Sequence, residues 1–189
     1  VEGKIQQLEE LRLFTAHLKH VREYLGWLQR DLRDRTGLNL SYISDLERQR
    51  VSVGIDRMAR IAQALNIPLY RMLDASFTQD YDLKTNSEWA EYQPLIDNSY
   101  NIPFERQVFS ENFRQVRMHQ GHSLRETVRQ TEKSAAFLIS FERGLSSISL
   151  ENAVLLAHFV KIPLRILLIP KPSRHTTPMI QTKSADSSP

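Results

Sequence analysis

The chain has 189 residues, 41% of them apolar and 25% charged, which fits a soluble globular protein of one large or two small domains. It has no cysteine, which excludes disulfides, thiolate metal sites and a cysteine nucleophile and fits a reducing cytosol; with no basic-then-apolar leader on the sequence, which begins at Val1, and no apolar run near the roughly 18–20 residues of a membrane span, a cytoplasmic protein is expected. The net charge of +3 is unevenly spread: residues 14–74 hold ten Lys/Arg and seven Asp/Glu, residues 75–102 one and five, and residues 103–169 nine and six. Two mildly basic blocks therefore flank an acidic connector, and such blocks are either ordinary solvated surfaces or surfaces for a polyanion.

In chain order, Ile5, Leu8, Leu11 and Phe14 recur at near-helical spacing and either extend the first helix or pack across a partner. Leu18, Val21 and Leu25 share a helical face that ends at Gly26, a residue suited to a left-handed C-cap. A short helix follows from about Leu28 to Arg35 and closes at Gly37. Asn39 then caps a third helix running to about Arg48. Its Ile43 and Leu46 face inward, while Leu40, Ser41, Ser44, Asp45 and Arg48 lie on the opposite face. A fourth helix, from about Ile55 to Leu65, stops before Pro68, and a last short helix takes Leu69 to Leu73. No segment alternates with period two, so the fold class is all-α.

The same pattern returns 95 residues later. Ile67-Pro68-Leu69 recurs as Ile162-Pro163-Leu164, and the shift pairs Arg22 with Arg117, Gly26 with Gly121, Thr36 with Thr131 and Glu47-Arg48 with Glu142-Arg143 without a gap. Apolar positions match too: Tyr42-Ile43 meets Phe137-Leu138 and Leu46 meets Phe141. One fold of about 60 residues is thus used twice. Units this small are marginal on their own cores, so contact between them would help both.

Two helices joined by a tight glycine turn, the second with a polar outer face, make a helix-turn-helix. The run from Gln29-Arg30-Asp31-Leu32 through Thr36-Gly37-Leu38-Asn39-Leu40-Ser41-Tyr42-Ile43-Ser44-Asp45-Leu46-Glu47-Arg48 resembles the lambda repressor/Cro-like (XRE-type) family of transcriptional regulators. Ser123-Leu124-Arg125-Glu126 and Ser134-Ala135-Ala136-Phe137-Leu138-Ile139-Ser140-Phe141-Glu142-Arg143-Gly144 are similar to it as well. The resemblance implies two tandem five-helix helix-turn-helix domains and a third helix that enters the major groove of double-stranded DNA. Carried over by position, Leu40, Ser41, Ser44 and Asp45 become the base-reading set, and Gln29, Tyr42, Arg48 and Arg50 the phosphate-contacting set. Leu40 could instead cover a protein interface, and Asp45 could pair with Arg48 or Arg50. Glu47 reads as structural, bridging to Arg22 or Arg30.

The second copy departs from this pattern. Glu132 stands where the turn glycine should be, so a different turn is expected there. The corresponding outer face is Ala135, Ala136, Ile139 and Ser140, with Arg143 beyond, a set poor in hydrogen-bonding groups. It is either a dimerisation surface or a second DNA surface. Ser123 and Glu126 have the spacing of a capping box.

The resulting division is an N-terminal helical extension over 1–13, a DNA-reading domain over 14–74, a connector over 75–110, a degenerate second domain over 111–169 and a disordered tail over 170–189. The connector carries Phe77, Tyr81, Trp89, Tyr92, Tyr100, Phe104 and Phe109, so it is expected to be ordered, with a short helix near Ser87–Tyr92. Those aromatics could also line a small-molecule effector site, although nothing specifies a ligand. His17, His20, His119, His122, His158 and His175 are expected at surfaces or interfaces, with no metal, cofactor or catalytic site. The expected function is that of a repressor binding an inverted repeat as a homodimer, away from membranes. The alternative is a protein-interaction module such as an antitoxin.

Overall fold

The computed structural model describes residues 2–77 and 104–171, all helical apart from caps, loops and one isolated bridge. The first half contains α1 (Glu2–Tyr24), α2 (Gln29–Thr36), α3 (Leu40–Glu47), α4 (Ile55–Ala64) and α5 (Leu69–Met72). The second contains α6 (Phe104–His119), α7 (Leu124–Thr131), α8 (Ala135–Glu142), α9 (Leu150–Phe159) and α10 (Leu164–Leu167). Each of α7 to α10 begins and ends 95 residues after its counterpart, and α6 ends 95 residues after α1. The expected helix near Ser87–Tyr92, most connector aromatics and the tail beyond Lys171 lie outside the described residues. Residues 104–110, read from sequence as connector, are the opening turns of α6, and Phe109 is fully buried.

Local chemistry sets the helix ends. The Asn39 carboxamide accepts the Ser41 amide at 2.9 Å, and Ser123, Ser134 and Ser149 accept amides at the starts of α7, α8 and α9. At α7 only that half of the expected capping box forms; the Glu126 carboxylate turns to His122 at 3.3 Å instead. Gly37 ends α2 with φ +66. Glu132 ends α7 with φ +56, so the turn keeps the same left-handed form, contrary to the sequence expectation that it would change. A side chain in that region costs on the order of 1–2 kcal/mol. Glu132→Gly should therefore raise stability by about 1 kcal/mol, read from urea unfolding; a lowered midpoint would show that the glutamate side chain offsets the backbone cost.

The buried apolar residues of both halves form one continuous core, from Leu11, Phe14 and Leu18 through Phe109, Phe113 and Phe141 to Leu168. Thus Leu11 and Phe14 extend the first helix inward, whereas Leu8 is 61% exposed. Leu25, placed inward by its spacing, is 37% exposed because the helix has already ended at Tyr24. His17, expected at a surface or interface, is buried: its Nδ1 lies 2.9 Å from the Met72 carbonyl and its ring meets Phe77 edge-on. Burial holds its pKa below the ordinary histidine range. At the equivalent position Asn112 donates its amide to the Leu167 and Ile169 carbonyls.

The halves pack reciprocally. α1 lies on α9, α4 on α6, and α5 on α10. Between them the Ile55 amide donates to the Ile148 carbonyl at 3.0 Å, and the Leu150 amide to the Val53 carbonyl at 2.9 Å. These two bonds exchange under the 95-residue shift, so a pseudo-twofold axis runs between Gly54 and Ser149. Asp56 on α4 joins the Arg106 guanidinium on α6 across the contact, with one bond, from Nε to Oδ1, at 2.9 Å.

Glu10 adds a pH dependence. Burial raises its pKa to about 7, against the lowering effect of Arg165. A raised folded-state pKa means that its favourable contribution is present below the ordinary value of 4.5 and is lost as pH rises to about 7. Glu10→Gln should match the parent at pH 4 and exceed it at pH 8 by on the order of 2 kcal/mol, after allowance for partial exposure. Thermal melts across that range check this, and a pH-independent difference would refute it.

Candidate nucleic-acid interface

α3 is held from behind by ions and apolar packing. Ile43 and Leu46 are fully buried, and Glu47, at the helix end, has only 6% of its side chain exposed. Arg22 on α1 meets that carboxylate with Nε at 2.6 Å and Nη2 at 3.1 Å, and its Nη1 donates to the Trp27 carbonyl at 2.7 Å. The arginine that Glu47 bridges to is thus Arg22. Gln29, at the start of α2, donates its amide to the same carboxylate at 2.8 Å. This bond locks the α2 N-terminus to the end of α3 and leaves the Gln29 carbonyl oxygen and second amide hydrogen for other partners.

The opposite face of α3 is open. Leu40 is 40% exposed, Ser41 is exposed, and Ser44 and Asp45 are partly so. The Ser41 hydroxyl donates to Asn39 at 2.7 Å, which leaves its lone pairs free to accept from a base amino group. Tyr42 sits at the edge of this face, its hydroxyl 3.2 Å from the Ser52 carbonyl and the Arg57 guanidinium 4.9 Å from its ring centre. Arg48 and Arg50 are exposed, and among the described residues neither they nor Asp45 enter an ion pair. Arg35 covers Trp27 at 4.1 Å on the flank of α2, a cation that the helical pattern did not single out. The four base-reading candidates thus share one exposed surface, rimmed by unpaired arginines. That surface suits a polyanion whose grooves offer donors, acceptors and thymine methyls.

The counterpart surface on α8 has the same support and different chemistry. Arg117 meets Glu142 at 2.5 and 2.8 Å and donates to the His122 carbonyl at 2.6 Å, repeating the Arg22 arrangement bond for bond. Outward lie Ala135 and Ala136, both exposed, with Ile139 at 39% and Arg143 exposed. Ser140 pairs with Ser146, so its hydroxyl is engaged within the chain. Leu145, which the helical pattern did not single out, is 60% exposed beside this face.

Among the described residues no helix is long and apolar enough to cross a membrane. The family model described as helix-turn-helix matches residues 18–71, from the middle of α1 into α5. A Neisseria meningitidis serogroup B protein described as a hypothetical transcription factor is 30% identical over 66 residues, 34% of this chain and 62% of the relative. The match therefore spans less than two thirds of that relative's length. The HTH-type transcriptional regulator SinR of Bacillus subtilis is 26% identical over 100 residues, 52% of this chain and 87% of SinR. No solved structure matches the chain at a significant level. Residues 18–71, with α3 and its open face among them, form a helix-turn-helix domain.

Proposed function

We propose that this protein is a sequence-specific transcriptional regulator that binds double-stranded DNA with α3 in the major groove. The observation that carries this reading is the exposed face of α3 within a helix-turn-helix domain, with the exposed Arg48 and Arg50, unpaired among the described residues, at its rim. Similarity to proteins described as a transcription factor and as a transcriptional regulator supports it. Ser41 and Ser44 hydrogen-bond base edges, Leu40 packs on a thymine methyl, and Asp45 accepts from a cytosine amino group. Tyr42, Arg48, Arg50 and the remaining capacity of Gln29 hold phosphates. The proposed sign is repression, by occupancy of the operator. The second half is a degenerate copy of the same domain, with its own buried Arg117–Glu142 pair.

Selection of bound duplexes from a random pool at roughly physiological salt tests this. Enrichment of a defined sequence is expected. A folded protein that enriches nothing would instead favour the interaction-module reading, because the apolar α8 face suits a protein partner.

A further inference from the structure

A single recognition helix contacts too few base pairs to define a regulatory site, so regulators of this architecture bring two, about one DNA turn apart. The reciprocal contact between the halves supplies a second helix within the same chain. We propose that one chain alone covers a complete operator made of two unlike half-sites. In this arrangement α3 reads one half by hydrogen bonds, and α8 reads the other by apolar contact with thymine methyls. The inference rests on the reading of the protein as a DNA-binding regulator and replaces the homodimer expected from sequence.

Four observations converge on it. The loops that leave α3 and α8 turn through left-handed residues, Gln49 and Gly144, and end at the two sides of one bridge, at Gly54 and Ser149. The 95-residue register gives both loops the same length and the same turn, so α3 and α8 flank the axis equivalently, as two half-sites about one DNA turn apart require. Next, the contact between the halves uses α1, α4, α5, α6, α9 and α10, so it leaves the outer faces of α3 and α8 uncovered.

The third observation is chemical. Ala135, Ala136 and Ile139 present methyl groups in the registers where Leu40, Ser41 and Ser44 stand on α3, and Ser140 is engaged by Ser146. The thymine C5-methyl is the one apolar group that the major groove displays. The fourth is charge. Arg125 and Arg129 on α7 and Arg143 just after α8 are exposed and Lys133 is partly so, against the carboxylates of Glu126 and Glu132. A face meant for an apolar protein partner has no need of that cationic rim, whereas a phosphate backbone does.

The test uses the full chain and the duplex it selects. Native mass spectrometry or sedimentation should find one chain per duplex, with backbone protection over two unlike half-sites about ten base pairs apart. Replacing thymine by deoxyuridine, which removes only the C5-methyl, should weaken binding about four-fold per contacted methyl in the half assigned to α8. In the α3 half the same replacement should matter only beneath Leu40. Ile139→Asp, at an exposed position, should abolish protection of the α8 half and spare that of the α3 half. Two chains per duplex, with only α3 half-sites protected and Ile139→Asp dissolving a chain dimer, would overturn the inference while leaving the regulator reading intact. Deoxyuridine substitution without effect in either half would overturn it as well. Failure to enrich any duplex would remove the regulator reading and this inference together.

Discussion

Glu47→Ala is expected to destabilise the protein by about 3–5 kcal/mol, because it leaves the Arg22 guanidinium buried without a counter-charge. Arg22 has 8% of its side chain exposed, and its hydrogen bonds to Glu47 and Trp27 hold α3 against α1 and the α1–α2 turn. The loss is large beside a typical total stability of roughly 5–15 kcal/mol. Gln29 would also lose its acceptor, so the start of α2 would loosen. The pair itself contributes much less than this figure suggests. Replacing both residues together, as Arg22→Met with Glu47→Leu, should cost far less than either single change that strands a charge. Urea unfolding of the single and double variants gives the coupling energy directly. Glu142→Ala should behave alike through Arg117, since Arg117 repeats the three bonds that Arg22 makes to Glu47 and Trp27. A loss below about 1 kcal/mol for Glu47→Ala would mean that water reaches Arg22 and that α3 is positioned by apolar packing alone.

Joint replacement of Arg48 and Arg50 by alanine should weaken binding to every duplex by a similar factor, without change in fold. Both side chains are exposed and, among the described residues, enter no ion pair, so little stability depends on them. Every phosphate that an arginine no longer neutralises keeps its condensed counterion on binding. The slope of log affinity against log salt should therefore fall by about two for the double variant. The sequence ranking of duplexes should stay the same, because a grip on phosphates positions the protein without reading bases. A change in ranking with an unchanged slope would place these arginines on base edges instead.

Much of the fold is legible in the chain because its signals are local. The glycines at Gly26 and Gly37, the capping Asn39, and the stop at Pro68 place the ends of α1 to α5 within a few residues. The 95-residue register carries the same ends onto α7 to α10. The inward set on α3 follows from spacing alone, and so does the outward face. What sequence reasoning misses depends on tertiary partners. His17 looks like a surface residue until α5 brings the Met72 carbonyl to its ring. Arg22 and Arg30 are equal candidates for Glu47 until α1 packs on α3. Glu132 keeps the left-handed turn that its residue type disfavours, because the helices on either side fix the geometry. The contact between the halves is hidden most deeply. A bridge of single residues has no period-two pattern, and Asp56 and Arg106 lie 50 positions apart. The one clue in the chain is that Val53 and Ile148 stand in the same register just before two helix starts, as apolar residues that a simple loop does not require.

The central claim, that α3 reads base sequence, is tested most directly by comparing Ser44→Ala with Arg48→Ala on a panel of duplexes carrying every single-base change in the selected site. Ser44→Ala should relax preference at one position, by about 1–3 kcal/mol, and leave other positions and the salt slope unchanged. Arg48→Ala should lower affinity evenly across the panel and reduce the slope by about one. Equal, position-independent losses for both variants would contradict the account, because α3 would then grip DNA without reading it.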